Sequence, residues 1–209
     1  MAATQRDRLF DGLAQTVARK GYAAARVTDI CQAAGVTRPA FYALFEGKED
    51  AFIATYRHGI DVVMEAMERA YAQAGDWQEG AGAALAALLN ILASAPEFAM
   101  MAVVEIDAVG PAGRRERGLM LSRFAPFFDD APLRPGMPAL DELTACVVGG
   151  IHATIYRYVA SGRAAELPGL LPLLTYFTLV PFTGPDEAAR PPAPVQQPPT
   201  ACQGIKNKP

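Results

Sequence analysis

An all-α chain with a helix-turn-helix near its amino terminus is what this sequence predicts, on three observations. Residues 27–50, VTDICQAAGVTRPAFYALFEGKED, read as two short helices joined by a glycine turn. Beyond them, apolar side chains recur at helical spacing in segments punctuated by glycine and proline. The 209 residues are 51% hydrophobic, enough for a small head and a larger helical body.

The first helix spans Thr4 to Lys20. Thr4 is placed to cap it, Phe10, Leu13, Ala14 and Val17 form its apolar stripe, and Gly21 closes it. Arg6 and Arg8 near its start oppose the helix dipole, so a DNA backbone or minor groove suits them as well as water does. In the second helix Thr28 is the cap and Asp29 favours the positive end of the dipole. Ile30, Ala33 and Ala34 share a face, and Gly35 supplies the left-handed stop. Thr37 caps the third helix, Pro39 is tolerated in its first turn, and Phe41, Leu44 and Phe45 form its buried side up to Gly47.

The exposed half of this third helix carries the functional reading. The amino-terminal part of a recognition helix meets base edges in the major groove, and Arg38 is the side chain there able to grip guanine O6 and N7 with two hydrogen bonds. Tyr42 is placed to reach a phosphate with its hydroxyl. Lys48, a cation at a helix start, opposes the dipole unless a phosphate lies near. The DNA-facing set is Thr28, Thr37, Arg38, Pro39, Ala40, Phe41, Tyr42 and Lys48, although the spacing of Phe41 with Ile30 and Val36 also reads as core.

The order Gly21, Tyr22, Val27, Thr28, Asp29, Ile30, Ala33, Ala34, Gly35, Val36, Thr37, Phe41, Tyr42, Phe45, Lys48 and Glu49 resembles the DNA-binding domain of the TetR (tetracycline-repressor) family of bacterial transcriptional regulators. That resemblance covers about the first fifty residues. It implies phosphate contacts from Thr28, Thr37, Tyr42 and Lys48, base contacts from Arg38 and its neighbours, and a repressor. Ala43 and Leu44 depart from the pattern, standing where the family often carries larger aromatic or polar groups, so contacts from those two positions are not carried over.

Charge divides the chain in the same sense. Residues 1–57 hold eight Lys or Arg against six Asp or Glu, and the remainder 11 against 16. A total of −3 excludes a general nucleic-acid coat, so any DNA affinity is local. Cys31, Cys146 and Cys202 lack CxxC spacing and are odd in number, which suits a reducing cytoplasm. A charged amphipathic start and no unbroken apolar run of 18 residues give no reason to expect a membrane partner. With two histidines and no HExxH, GxSxG or phosphate-binding glycine loop, neither an enzyme nor a bound metal or cofactor is indicated. An oxidation sensor at Cys31 is the competing regulatory reading, and a helical enzyme a weaker one.

Three regions result: a helix-turn-helix head over 1–48, a helical sensing and dimerisation body over 49–183, and a proline-rich tail over 184–209. The body should hold helices at 49–74, 77–93, 96–109, 111–129, 139–160 and 168–180, with a loop at 130–138. One recognition helix reads only a few base pairs, which calls for a homodimer on a palindromic double-stranded operator. Family resemblance puts the dimer contact on the two carboxy-terminal helices, and Gly149 and Gly150 within one of them suggest close packing there or inside the chain. Met64, Met67, Met101, Glu105, Phe124, His152 and Tyr156 are the candidate pocket for a small apolar or amphipathic effector, whose binding would swing the 49–74 helix and separate the heads. Seven prolines among the 26 tail residues predict disorder there, with Lys206 and Lys208 as weak DNA attractants.

Overall fold

The computed structural model describes residues 4–189. Helix α1 (Gln5–Lys20) begins at Thr4, whose hydroxyl accepts from the Asp7 N–H at 3.1 Å while the Asp7 carboxylate accepts from the Thr4 N–H at 3.0 Å. Gly21, at φ 75°, turns the chain out of it. Helix α2 (Val27–Ala34) starts one residue before the expected cap. Asp29, rather than Thr28, completes it by accepting from the Arg26 N–H at 3.1 Å, and Thr28 lies exposed in the first turn. Gly35, at φ 62°, ends α2 in the left-handed conformation.

Helix α3 (Arg38–Tyr42) is capped by Thr37 and is shorter than the sequence suggests, because the chain leaves helical geometry after Ala43. Ile30, Phe41 and Phe45 are buried with Leu9, Leu13 and Val17 of α1. Ala33 is exposed and Leu44 is 43% exposed, so neither belongs to the apolar side expected of it. Gly12 lets α1 meet α2, since a β-carbon there would sit 2.7 Å from the Ala34 amide nitrogen.

Helix α4 (Lys48–Ala72) buries Phe52, Tyr56, Ile60, Val63, Met64 and Met67 along one stripe and packs on α5 (Trp77–Ser94). The segment expected as one helix over 96–109 is three: α6 (Pro96–Ala99), a π-turn (Met100–Val104) and a 3-10 turn (Glu105–Val109). Met101 and Ile106, five apart, would diverge by about 140° on a straight α-helix. The i to i+5 hydrogen bond from the Glu105 N–H to Met100 O brings both inward, and both are fully buried.

Helix α7 (Pro111–Ser122) stops earlier than expected and gives way to a 3-10 turn at Ala125–Phe128, where Phe127 and Phe128 enter the core. Helix α8 (Leu140–Ala160) is followed by a 3-10 segment (Ala164–Leu170) and α9 (Leu171–Thr183). Residues 164–183 have the length and hydropathy of a membrane span, yet they form two pieces, and both pack on α5 and α8. The expected tail begins with a short helix α10 (Pro185–Ala188) whose Ala188 is buried, so disorder does not start at 184. Residues 190–209, with Cys202, Lys206 and Lys208, lie outside the described residues.

Candidate nucleic-acid interface and ligand cavity

On the outer side of α3 the structure places Thr37, Arg38, Pro39 and Tyr42 together in solvent, with Ala40 half-buried beside them. Thr37 Oγ1 is 3.4 Å from the Ala40 N–H it caps. The Arg38 guanidinium lies 5.9 Å from the centre of the Tyr42 ring, which is 49% exposed, and no carboxylate lies within ion-pair distance of Arg38 among the described residues. Its donors are therefore available for an outside acceptor. Phe41 is 0% exposed and packs edge-on against Tyr42 at 5.3 Å and against Phe45 at 5.6 Å. It is core, and its place in the DNA-facing set is corrected accordingly.

Lys48 serves a different end from the phosphate contact expected. Its Nζ donates to the carbonyls of Tyr22 at 2.7 Å and Ala25 at 3.0 Å and lies 4.2 Å from the centre of the Tyr22 ring. Burial pulls its pKa down. Two of its three donors thus tie the α1–α2 loop to the start of α4. The Tyr22 ring also meets Phe52 edge-on at 5.1 Å. The spacing from Lys48 back to residues 22–25 carries no signal, because the contact exists only once the three-helix unit closes.

Cys31 is buried, and burial raises its thiol pKa more than the field of Arg38 lowers it. Such a thiol is a poor nucleophile.

Inside the body, α4, α5, the π-turn, α7 and α8 surround a cavity of about 890 Å³, its open mouth included. Met64 and Met67 line it with Ile60 and Val63 from α4. Ala84, Leu85 and Leu88 of α5, Ala102 and Val103 of the π-turn, and Met120 and Phe124 add to the wall. His152 is the one titratable side chain on the wall among the described residues, and its buried Nε2 has no hydrogen-bond partner there. Burial lowers its pKa first and the Arg117 charge adds to this, while Asp107 opposes.

Of the other pocket candidates, Met101 is sealed in the core because the π-turn aims it inward, and Tyr156 points outward from α8, 40% exposed. Glu105 faces the head instead, its Oε2 accepting from the Tyr22 N–H at 2.7 Å. A cleft between α4 and α7 shares Ile60 and Met120 with the cavity. It is bridged by the ion pairs Arg57–Glu116 and Arg123–Asp61, and Arg57 holds the Glu116 carboxyl below its usual range.

The lowered pKa of this half-buried imidazole has a consequence for stability. The unfolded chain, with a histidine pKa of about 6.5, takes up the proton before the folded one does. Stability from His152 is therefore present above about pH 6.5 and is lost as pH falls through that value toward the lowered folded pKa. Melting temperature should fall between about pH 7.5 and 5.5, and His152→Gln should flatten that slope.

Residues 9–55 match the sequence profile of bacterial regulatory proteins of the tetR family. By this head, the chain is similar to the tetR family over residues 9–55. The architecture agrees along nearly the full length. It superposes on the fatty acid degradation regulator FadR from Bacillus halodurans with a TM-score of 0.77 at 17% identity, covering 88% of this chain and 97% of that one. FadR from Bacillus subtilis, in complex with stearoyl-CoA, gives 0.72 at 18% identity, covering 85% and 97%. The TetR family transcriptional regulator PfmR from Thermus thermophilus gives 0.65 at 18%, covering 88% and 98%. The turn at Gly35 and the start of α3 fall inside the matched region, whereas every residue lining the cavity lies outside it.

Proposed function

We propose that the protein is a transcriptional repressor that binds a palindromic operator as a homodimer and leaves it when a long apolar or amphipathic molecule fills the body cavity. The head, residues 1–48, reads DNA, while the body, residues 49–183, senses the ligand and dimerises. The observation that carries the reading is the exposed cluster of Thr37, Arg38 and Tyr42 on a capped, tetR-type α3. Arg38 reads base edges, and Thr37, Tyr42 and the exposed Thr28 meet phosphates.

The outer face of α8 and α9 supports dimerisation. Leu173 is 56% exposed, with Tyr156, Tyr176 and Phe177 also exposed on these two helices, and Gly149 has open space where a side chain would stand. Exposed apolar patches of this kind mark interaction surfaces. Gly150 plays another part, because its missing β-carbon admits the Phe177 ring of the same chain.

The ligand class follows from the wall of the cavity. A lining that is hydrocarbon apart from the His152 imidazole and Thr178, whose hydroxyl is spent on the Leu174 carbonyl, suits an aliphatic chain better than a polar metabolite. The similar Bacillus subtilis regulator was solved with stearoyl-CoA, which makes long-chain acyl thioesters the first compounds to test. The cleft between α4 and α7 offers the way in, bridged by the exposed Arg123–Asp61 pair and by Arg57 on the largely buried Glu116.

Footprinting on DNA upstream of the protein's own gene tests the proposal. Two protected half-sites about one helical turn apart support it, and the absence of any retarded complex sinks it. Arg38→Ala should weaken operator binding by about 1 to 3 kcal/mol and relax the preference at one base position in each half-site. Unchanged specificity in that variant would remove Arg38 from base reading.

A further inference from the structure

Tyr22 is held through its backbone from two sides by groups remote in sequence. Its C=O accepts from Lys48 at the start of α4, whereas its N–H donates to Glu105 in the body. Gly21, in a positive-φ conformation that turns the chain, lies with its would-be β-carbon 3.6 Å from the same carboxylate. Glu105 follows directly on the π-turn, and Ala102 and Val103 of that turn form part of the cavity wall. The turn also contacts α1.

We propose that Glu105 is the positioning residue that couples the cavity to the DNA-reading head, and that the π-turn is the element a ligand displaces. This rests on the reading of the cavity as the ligand site of a DNA-binding regulator. An aliphatic chain pressing on Ala102 and Val103 straightens the π-turn toward α-helix. That rotates Glu105 away from Tyr22 and frees the α1–α2 loop. A π-turn suits this task because it differs from α-helix by one hydrogen-bond register, which gives the segment two discrete states. Ligand binding is thereby transmitted without requiring α4 to move first.

The test replaces the ligand with a side chain. Ala102→Leu intrudes on the cavity from the π-turn, with Ala102→Val as the milder version should leucine prevent folding. In the full chain, amide hydrogen exchange at Tyr22 should quicken about 10-fold or more in Ala102→Leu and in Glu105→Ala, the weight of a hydrogen bond to a charged group. Exchange at Leu13 and Val17, within α1, should stay as in the wild type. Glu105→Gln, which keeps an acceptor without the charge, should fall between. Operator affinity should drop in each single variant, and the double variant should be no weaker than the weaker single one.

Unaltered Tyr22 exchange in the cavity-filling variants overturns the proposal, as do losses of operator affinity that simply add. If the protein retards no DNA, the regulator reading fails while the Tyr22 exchange still decides the coupling. If a long-chain acyl thioester such as stearoyl-CoA leaves operator affinity unchanged while Ala102→Leu lowers it, the coupling stands and the ligand class is wrong.

Discussion

Aspartate at both Leu173 and Tyr176 is expected to split the protein into folded monomers and to weaken operator binding by about 10²- to 10⁴-fold. Both side chains lie outside the core of a single chain, Leu173 more than half in solvent, so the substitutions leave intrachain packing intact. Phe177 is a poorer choice because its ring also covers Gly150. In a two-fold dimer each exposed residue meets the same patch on its partner, and two carboxylates placed there face like charges. Losing the second head removes the effective concentration that links the two half-sites, which sets the size of the effect. Sedimentation velocity reads the mass, and a gel-shift titration reads the affinity. A variant that remains dimeric would move the interface off the α8–α9 face.

Truncating Phe41 to alanine should cost about 3 to 5 kcal/mol, the range for a fully buried phenylalanine. Phe41 joins Phe45 and the apolar side of α1 in the small core of the head, and that core has few other large side chains to absorb a void. Phe41→Leu should recover most of the loss and retain operator specificity, because leucine refills much of the volume. Thermal melting followed by circular dichroism separates this from a DNA contact. Were Phe41→Ala to melt like the wild type and yet lose its operator, Phe41 would face bases after all.

Local chemistry made both ends of α1, the stop of α2 and the start of α3 legible in the head. Thr4, Gly21, Gly35 and Thr37 each act on backbone groups within four residues, so their consequences can be read along the chain. Contacts made across the fold left no such trace. Lys48 resembles a phosphate ligand until the α1–α2 loop closes over it, and Glu105 looks like a pocket anchor until Tyr22, 83 residues earlier, arrives beside it. The π-turn was hidden for a related reason. Its five-residue spacing of Met101 and Ile106 makes sense only against a core that draws both inward. In the cavity, Met64, Met67, Phe124 and His152 share a wall, whereas Met101 carries the same apolar chemistry and is sealed in the core. Side-chain type indicates that such residues are buried, and only the register of α4, α7 and α8 decides which ones border open space.

Occupancy of the proposed body site is expected to control the head. Operator affinity measured by fluorescence anisotropy, at rising concentrations of a long-chain acyl thioester such as stearoyl-CoA, tests this most directly. A shift from nearly full to nearly empty operator requires a preference of several kcal/mol for the released state. The predicted result is a saturable loss of operator binding, reversed when the thioester is removed and blunted when the cavity is filled by Ala102→Leu. Tight binding of the thioester with no change in operator affinity would rule out control of the head from the cavity, since a ligand with equal affinity for both states shifts nothing.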